Sequence, residues 1–464
     1  MNTTDLIIIG AGPGGYRAAE LAAEKGLKVV IFEAASVGGT CLNEGCIPTK
    51  CYARNAEAVS LMREAETFGI SHDGFRFQLE KAKERKDAVL QQLRTGIETL
   101  LSHPNITLVR AEASFLDART VEARPVCCDA IAAKETYTAP HIIVATGSVP
   151  KTLRLKEPAD GLFLDSRDLL QLDRLPASLC IVGAGVIGME FASIFNAFGT
   201  KVTVVEFLKE CLPALDSDIA KRLRKVLEKR GVEFNLQCAV TAIRQKDTVK
   251  EVCFTDKKGR ELTVEAEQVL MAVGRAPRVF DHFRHAGFDY DERTGIHVDD
   301  HFQTTVPGIY AIGDVNGRQM LAHAAEAQAK AVVEHIVKQD GAEANAHHQL
   351  SSVPAAIFTS PEAACVGKSE DQLKQEGTAY ECRKAFYRAN GKALAMNETE
   401  GMVKLLSEPE AGRILGCHVF GAHAADLVQE ASVLISMEAT IDQLQHIVHI
   451  HPTLSEILLA AAEA

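Results

Sequence analysis

Two cysteines, Cys41 and Cys46, stand with four residues between them in the segment GGTCLNEGCIPTK, residues 38–50. A pair at that separation can open and close a disulfide across a short turn, and Gly45 gives such a turn freedom. Pro48 opens a helical pattern and suits a first helical turn. Cys46 then lies near a helix N-terminus, where a thiolate is stabilised. The plain alternatives are a static bridge or two idle thiols, and a static bridge fits poorly in a reducing compartment. Near the other end of the chain, HPTLSE spans 451–456. An imidazole with an ordinary pKa near 6.5 exchanges protons at neutral pH. Thiol–disulfide exchange needs a thiolate, and a neighbouring imidazole can make and hold one. Glu456 follows His451 by five residues, with Pro452 turning the chain, so a starting helix can fold the carboxylate back to the ring. On spacing alone, His449 competes equally with His451. The other cysteines of the 12 are mostly scattered. Adjacent Cys127 and Cys128 read as ordinary strand or loop residues, and no spacing suggests a zinc site.

These groups must be held by something, and the chain states one holding unit twice. Asp5–Glu33 reads DLIIIGAGPGGYRAAELAAEKGLKVVIFE, and Ser178–Glu206 reads SLCIVGAGVIGMEFASIFNAFGTKVTVVE. Each is an apolar run, G-x-G-x-x-G, a helical pattern, a glycine and a second apolar run ending in Glu. Gly10 and Glu33 are 23 residues apart, as are Gly183 and Glu206. Gly10 and Gly183 permit the tight turn, Gly12 and Gly185 let the backbone approach a pyrophosphate, and Gly15 and Gly188 let helix pack on strand. The helix N-terminus offers unpaired N–H groups to the anion, and the Glu can accept from a ribose diol. Two dinucleotide sites are expected. Glu206 repels a 2′-phosphate, and Phe207 and Leu208 supply no arginine, so the second site should prefer NAD(H), with Lys209 the one basic neighbour.

Between the repeats, apolar residues recur at helical spacing over about 47–67 and 77–101. The run HIIVATGS from His141 is an apolar strand. After the second repeat come short β segments ending in QVLMAVGRAPR. From about residue 351, strands (KAFYRA, GMVKLLS, RILGCHVFG) mix with helices at about 424–437 and 453–463, as in a separate α+β domain. A chain of 464 residues with 47% hydrophobic and 24% charged residues has material for several globular domains. A net charge of −12 disfavours nucleic acid and anionic membrane as partners. The opening MNTTDLIIIG lacks a basic flank and breaks at a glycine turn, so it reads as a strand, and the cytoplasm is the expected compartment.

In these motifs the chain resembles the pyridine nucleotide–disulfide oxidoreductase family over essentially its whole length. The likeness covers both nucleotide units, the redox segment, YAIGD at 310–314 and HPTLSE. Within the family, GGTCLNEGCIPTK, Glu206, MLAHAAEAQ, PAAIFTSPEAACVG and HPTLSE together narrow the match. The fold implied is α/β, with two Rossmann-like nucleotide-binding domains, for FAD and NAD, and a C-terminal α+β dimerisation domain. The expected boundaries are 1–148 (FAD, redox disulfide), 149–274 (NAD), 275–350 (completing the FAD site) and 351–464 (interface).

The resemblance assigns Cys41 as interchange thiol, Cys46 as the thiol facing the flavin, His451 as acid–base and Glu456 as its orienting carboxylate. It selects His451 over His449 because His451 directly precedes the proline. It pairs Lys50 with Glu190, in the first turn of the second nucleotide helix, beside the flavin. Asp314, ending the YAIGD strand, would hold the ribityl chain. Gly39, Thr40, Thr146, Gly147, Gly274, Arg275, Leu321, Ala322 and His323 join the cofactor contacts. Two departures stand out: Ala324 where lysine is frequent, and Glu44 between the cysteines, where its charge could raise thiol pKa values.

The family sets the His–Glu pair across a subunit interface from the cysteines, which implies an obligate homodimer. The implied reaction oxidises protein-bound dihydrolipoamide and reduces NAD+, with a lipoyl-bearing acyltransferase or a glycine-cleavage carrier protein as partner. A glutathione-reductase-like enzyme would need arginines for NADPH. A mercuric-reductase-like enzyme usually adds a C-terminal cysteine pair, absent from EILLAAAEA. A mainly docking role in a 2-oxoacid dehydrogenase complex is the reading from another class.

Overall fold

The structure is a computed structural model and describes residues 2–125, 135–338 and 352–464. Cys127, Cys128 and the expected boundary at 350/351 lie outside the described residues. The chain divides into two compact units: Met1–Pro48, Lys83–Lys151 and Arg275–Leu350 form one, and Thr49–Ala82, Thr152–Gly274 and Ser351–Ala464 form the other.

The first unit is built on a five-stranded parallel sheet. Its order is Ile309–Ala311, His141–Val144, Leu6–Ile9, Val29–Phe32, Ile106–Val109. The central strands are apolar at every position because helices and loops cover both faces of a parallel sheet. Leu6, Ile7 and Ile8 are fully buried, and each contributes about 1.5–3 kcal/mol by leaving water. The helix Pro13–Glu24 starts on a proline and lays Ala18, Ala19, Ala22 and Ala23 on the sheet, a small-residue stripe that allows close packing. A second sheet, Asn2–Thr3, Glu135–Thr138, Thr120–Pro125 and Ala111–Phe115, completes this unit with the short pair Ser148–Pro150 and Arg275–Pro277.

In the second unit a parallel sheet runs Glu233–Leu236, Lys201–Glu206, Ser178–Val182, Gln268–Met271. An antiparallel meander, Cys238–Lys246, Val249–Asp256 and Glu261–Ala266, comes next in the chain. The C-terminal part is a five-stranded antiparallel sheet: Ala355–Ile357, Glu362–Gly367, Ile414–Gly421, Met402–Ser407, Glu381–Phe386. Helices Ala424–Ser436 and Glu456–Ala462 pack on it. Among the described residues no helix is long and apolar enough to cross a membrane.

Several local expectations shift. The expected helices are Cys46–Arg63 and Leu79–Leu100. The segment around Cys41 is itself a helical turn, Gly39–Glu44, and not an open turn. KAFYRA stops being strand after Phe386, because Tyr387 turns inward, fully buried, and donates its hydroxyl to Ala422 O at 2.9 Å. The strand of YAIGD ends at Ala311, so Asp314 sits in the 3-10 turn Gly313–Asn316. Glu190 is the fifth residue of the helix Val186–Phe198, in its second turn and not its first. The last helix begins at Glu456, since the carboxylate of Glu456 accepts the Thr453 N–H.

Candidate active site

Cys46 is the first residue of its helix and Pro48 lies in the first turn, so the thiol stands at the positive end of the helix dipole, which favours an anion. Cys41 is on the preceding short helix, and Gly45 breaks the two. A Cβ built on Gly45 would come within 3.7 Å of the Cys41 Cα and 3.1 Å of the Thr40 carbonyl oxygen, so this residue packs the two cysteine-bearing turns together. Asn43, between the cysteines, fixes the turn. Its amide donates to Val37 O (3.0 Å) and Gly39 O (2.9 Å), and its carbonyl accepts from Arg94 Nε at 2.6 Å. Both cysteines are half-buried. By contrast, burial pushes the thiols of Cys180 and Cys365 up to about 12 and about 11, which makes them inert at neutral pH.

The two C-terminal histidines separate clearly. His451 Nδ1 meets Glu456 Oε1 at 2.9 Å, and the imidazole side chain is 80% exposed. The Glu456 carboxyl is held below its usual range, first by the Thr453 N–H and then by His451. His449 is 5% exposed and paired with Glu430. Lys50 Nζ sits 3.0 Å from both oxygens of Glu190, whose side chain is buried. Glu190 also accepts the Phe358 N–H at 2.9 Å, and the Phe358 ring lies 4.4 Å under the ammonium. Phe358 lies within PAAIFTSPEAACVG, but spacing in that motif does not point to Lys50 as its partner.

The two glycine turns are near copies. Gly10 and Gly183 both have φ of +103°. A Cβ on Gly15 would lie 1.9 Å from the Gly10 carbonyl oxygen, and one on Gly188 2.0 Å from that of Gly183, which no side chain tolerates. Glu33 accepts from Ala11 N and Ala35 N, both at 2.8 Å. Glu206 accepts from Ala184 N and, at 2.7 Å, from Leu208 N. Each Glu therefore shapes its turn and retains lone pairs for a diol.

Neither helix after these turns has a side-chain cap at its glycine N-cap, so the first N–H groups are left for an anion. Gly39, with φ of +58°, crosses Gly12 so closely that a Cβ would meet the Gly12 Cα at 2.7 Å. This narrow glycine cradle fits a pyrophosphate against bare backbone.

Within the first unit, Ser148 ties Asp314 to Arg275: its hydroxyl donates to Asp314 Oδ2 at 2.5 Å and accepts from Arg275 Nε at 2.7 Å. Burial nevertheless pushes the Asp314 carboxyl up. Thr146 Oγ1 donates to Arg278 O at 2.8 Å, and Gly147 and Gly274 take left-handed backbone. Leu321 caps the helix Ala322–Val337, which carries His323 in its first turn and the fully buried Ala324. Ser148 escapes motif reading because its partners are more than 100 residues away.

Compared with known proteins, residues 4–329 match the pyridine nucleotide-disulphide oxidoreductase family, and residues 353–462 match that family's dimerisation domain. The chain belongs to this family. The dihydrolipoyl dehydrogenase of Bacillus subtilis is 38% identical over 457 residues, 98% of this chain and 96% of that protein. The dihydrolipoyl dehydrogenase of Thermus scotoductus is 36% identical, covering 100% and 98%. Among solved structures, the Cu(II) complex of the HOCl-induced flavoprotein disulfide reductase RclA from Escherichia coli superposes with a TM-score of 0.88 at 26% identity, covering 100% of this chain and 99% of that one. The family match accounts for both nucleotide units and the C-terminal sheet, and makes the chain a two-nucleotide oxidoreductase with a dimerisation domain.

Proposed function

We propose that this chain is a dihydrolipoyl dehydrogenase, oxidising the dithiol of protein-bound dihydrolipoamide to the cyclic disulfide while NAD+ becomes NADH and one proton is released. The observation that carries the reading is the His451–Glu456 pair at 2.9 Å, in a chain whose Cys46 opens a helix one short turn after Cys41. Those groups are what thiol–disulfide exchange needs: an activated cysteine pair and a proton carrier oriented by a carboxylate. Full-length similarity to dihydrolipoyl dehydrogenases supports the substrate, and Glu206 supports NAD+ over NADP+.

In this reading one substrate thiolate attacks Cys41 of the Cys41–Cys46 disulfide. A mixed disulfide forms on Cys41 and Cys46 leaves as a thiolate at its helix N-terminus. His451 Nε2 takes the proton of the second substrate thiol, with Glu456 holding Nδ1. That thiolate attacks the substrate sulfur of the mixed disulfide, releasing lipoamide and Cys41. FAD, when bound, supplies the two-electron relay from the reduced cysteines to NAD+. Gly10, Gly12, Gly15, Glu33, Gly39, Thr40, Thr146, Gly147 and Asp314, with Leu321, Ala322 and His323, would hold it. Lys50, oriented by Glu190, would place a cation beside it. Gly183, Gly185, Gly188, Glu206, Gly274 and Arg275 would serve NAD+.

The four segments 1–148, 149–274, 275–350 and 351–464 are the proposed domains, working as a homodimer in which His451 serves the partner's cysteines. A lipoyl-bearing acyltransferase or glycine-cleavage carrier protein supplies the dithiol, in the cytoplasm. Turnover of free dihydrolipoamide by wild type and by His451→Gln tests the assignment. A loss of about 100-fold or more is expected for a general acid–base, and an unimpaired variant would overturn it. Dithiol turnover lost to glutathione disulfide or another acceptor would instead favour a reductase like the Escherichia coli relative.

A further inference from the structure

The loop 446–455 that carries His451 is turned outward: Val448 is 95% and Ile450 79% exposed. Among residues 446–450, one side chain points the other way. His449 is 5% exposed, with Nε2 at 2.9 Å from Glu430 Oε1 and Nδ1 at 3.0 Å from Ile447 O. Glu430 lies on the helix Ala424–Ser436, which packs its apolar face on the C-terminal sheet, so this pair fastens the loop to a fixed element.

Further along, Thr453 is fixed by Asn390 Nδ2 to its carbonyl at 3.0 Å and by its own N–H to Glu456 Oε2 at 2.8 Å. His451 is thus held between two anchors: on its N-terminal side His449 meets Glu430, 19 residues away, whereas His446 Nδ1 bonds locally, to Asp442 O at 2.7 Å. The charge of His449 also helps to keep the Glu456 carboxyl low.

We infer that His449 and Glu430 are positioning residues for the acid–base step, a second His–Glu pair that sets where His451 Nε2 stands. This rests on the assignment of His451 as the proton carrier. A displacement of about 1 Å in a catalytic group costs up to about 100-fold. Accordingly, His449→Gln and Glu430→Gln should each lower kcat with dihydrolipoamide by about 10-fold or more, with KM little changed.

The holoenzyme supplies an internal control, the oxidation of NADH by ferricyanide, which needs no substrate dithiol. Both variants should keep that rate within about twofold, and the double variant should lose no more than the worse single one, since the two act as a unit. Dithiol turnover within twofold of wild type in both variants, while His451→Gln abolishes it, overturns the inference and leaves the assignment standing. Equal losses in both assays also overturn it, because they indicate a general structural role. Full activity of His451→Gln sinks the assignment itself.

Discussion

The turn at Gly10 and the turn at Gly183 share φ, the same helix–strand clash point and the same doubly bonded glutamate, yet they are covered differently. In the first, the Ala11 carbonyl accepts from Gly38 N at 2.8 Å, and Gly39 then crosses Gly12 backbone to backbone. In the second, the Ala184 carbonyl accepts from Leu212 N at 2.9 Å, and nothing lies within 4 Å of a Cβ built on Gly185. The chain roofs the first turn with the segment that carries the two cysteines and leaves the second open. A roofed cradle suits a group that stays bound, and an open one suits a nucleotide that leaves after each turnover. The two phosphate turns are alike in themselves, and the segments C-terminal to the two glutamates make them unequal.

The comparison is sharpened most by Cys46→Ser. Only the first repeat is succeeded by a redox segment, so this variant should reduce dihydrolipoamide turnover to background. It should also erase the long-wavelength absorbance of a thiolate beside a flavin, while NADH binding at the second repeat is unaltered. Persistence of the band would show that another group gives rise to it.

Next come Gly15→Ala and Gly188→Ala. Each puts a Cβ on a carbonyl oxygen, so each should cost about 1–3 kcal/mol or more in chemical denaturation, and to a similar extent. A loss at one site only would break the equivalence.

Gly185→Ala should behave differently. It has room in the protein, so stability should change by less than about 0.5 kcal/mol. NAD+ binding, measured by titration, should weaken about tenfold, roughly 1.4 kcal/mol. Stability lost without affinity would show the position is structural.

The smallest effect concerns Asp314, whose carboxyl burial raises above its ordinary value of 3.8. Between that value and the raised one the folded state holds a proton the unfolded chain has released, so this group lowers stability as pH rises through the window. Asp314→Asn should flatten that decline in the apoprotein, as seen by thermal melts from pH 4 upward. An unchanged slope would exclude the group as its source.

Most of the frame is legible in sequence because it is written locally. The glycine spacing, the apolar runs and the terminal glutamates lie within 29 residues, and the observed strands Leu6–Ile9 and Ser178–Val182 fall where those runs stand. The Gly39–Glu44 helix reads in sequence as an open turn, since glycines on both sides mask a six-residue helical pattern. Side-chain partners across long separations are legible only where a family likeness supplies them, as for Lys50 and Glu190. Spacing cannot choose between His449 and His451. The choice is visible in burial, and burial depends on Glu430, a residue no motif marks. Lys404 is likewise silent in sequence, yet its fully buried ammonium sits 2.7 Å from both Asp216 and Glu370. The pairing arises only when strand Met402–Ser407 comes to lie against two helix starts.

The most direct test is the initial rate of NAD+ reduction by dihydrolipoamide, run in parallel with NADP+. Rapid turnover with NAD+ and little with NADP+ is the expected result, and it joins the thiol pair, the proton carrier and Glu206 in one number. Absence of turnover with either nucleotide, in protein whose flavin NADH still reduces, would contradict the dithiol as substrate.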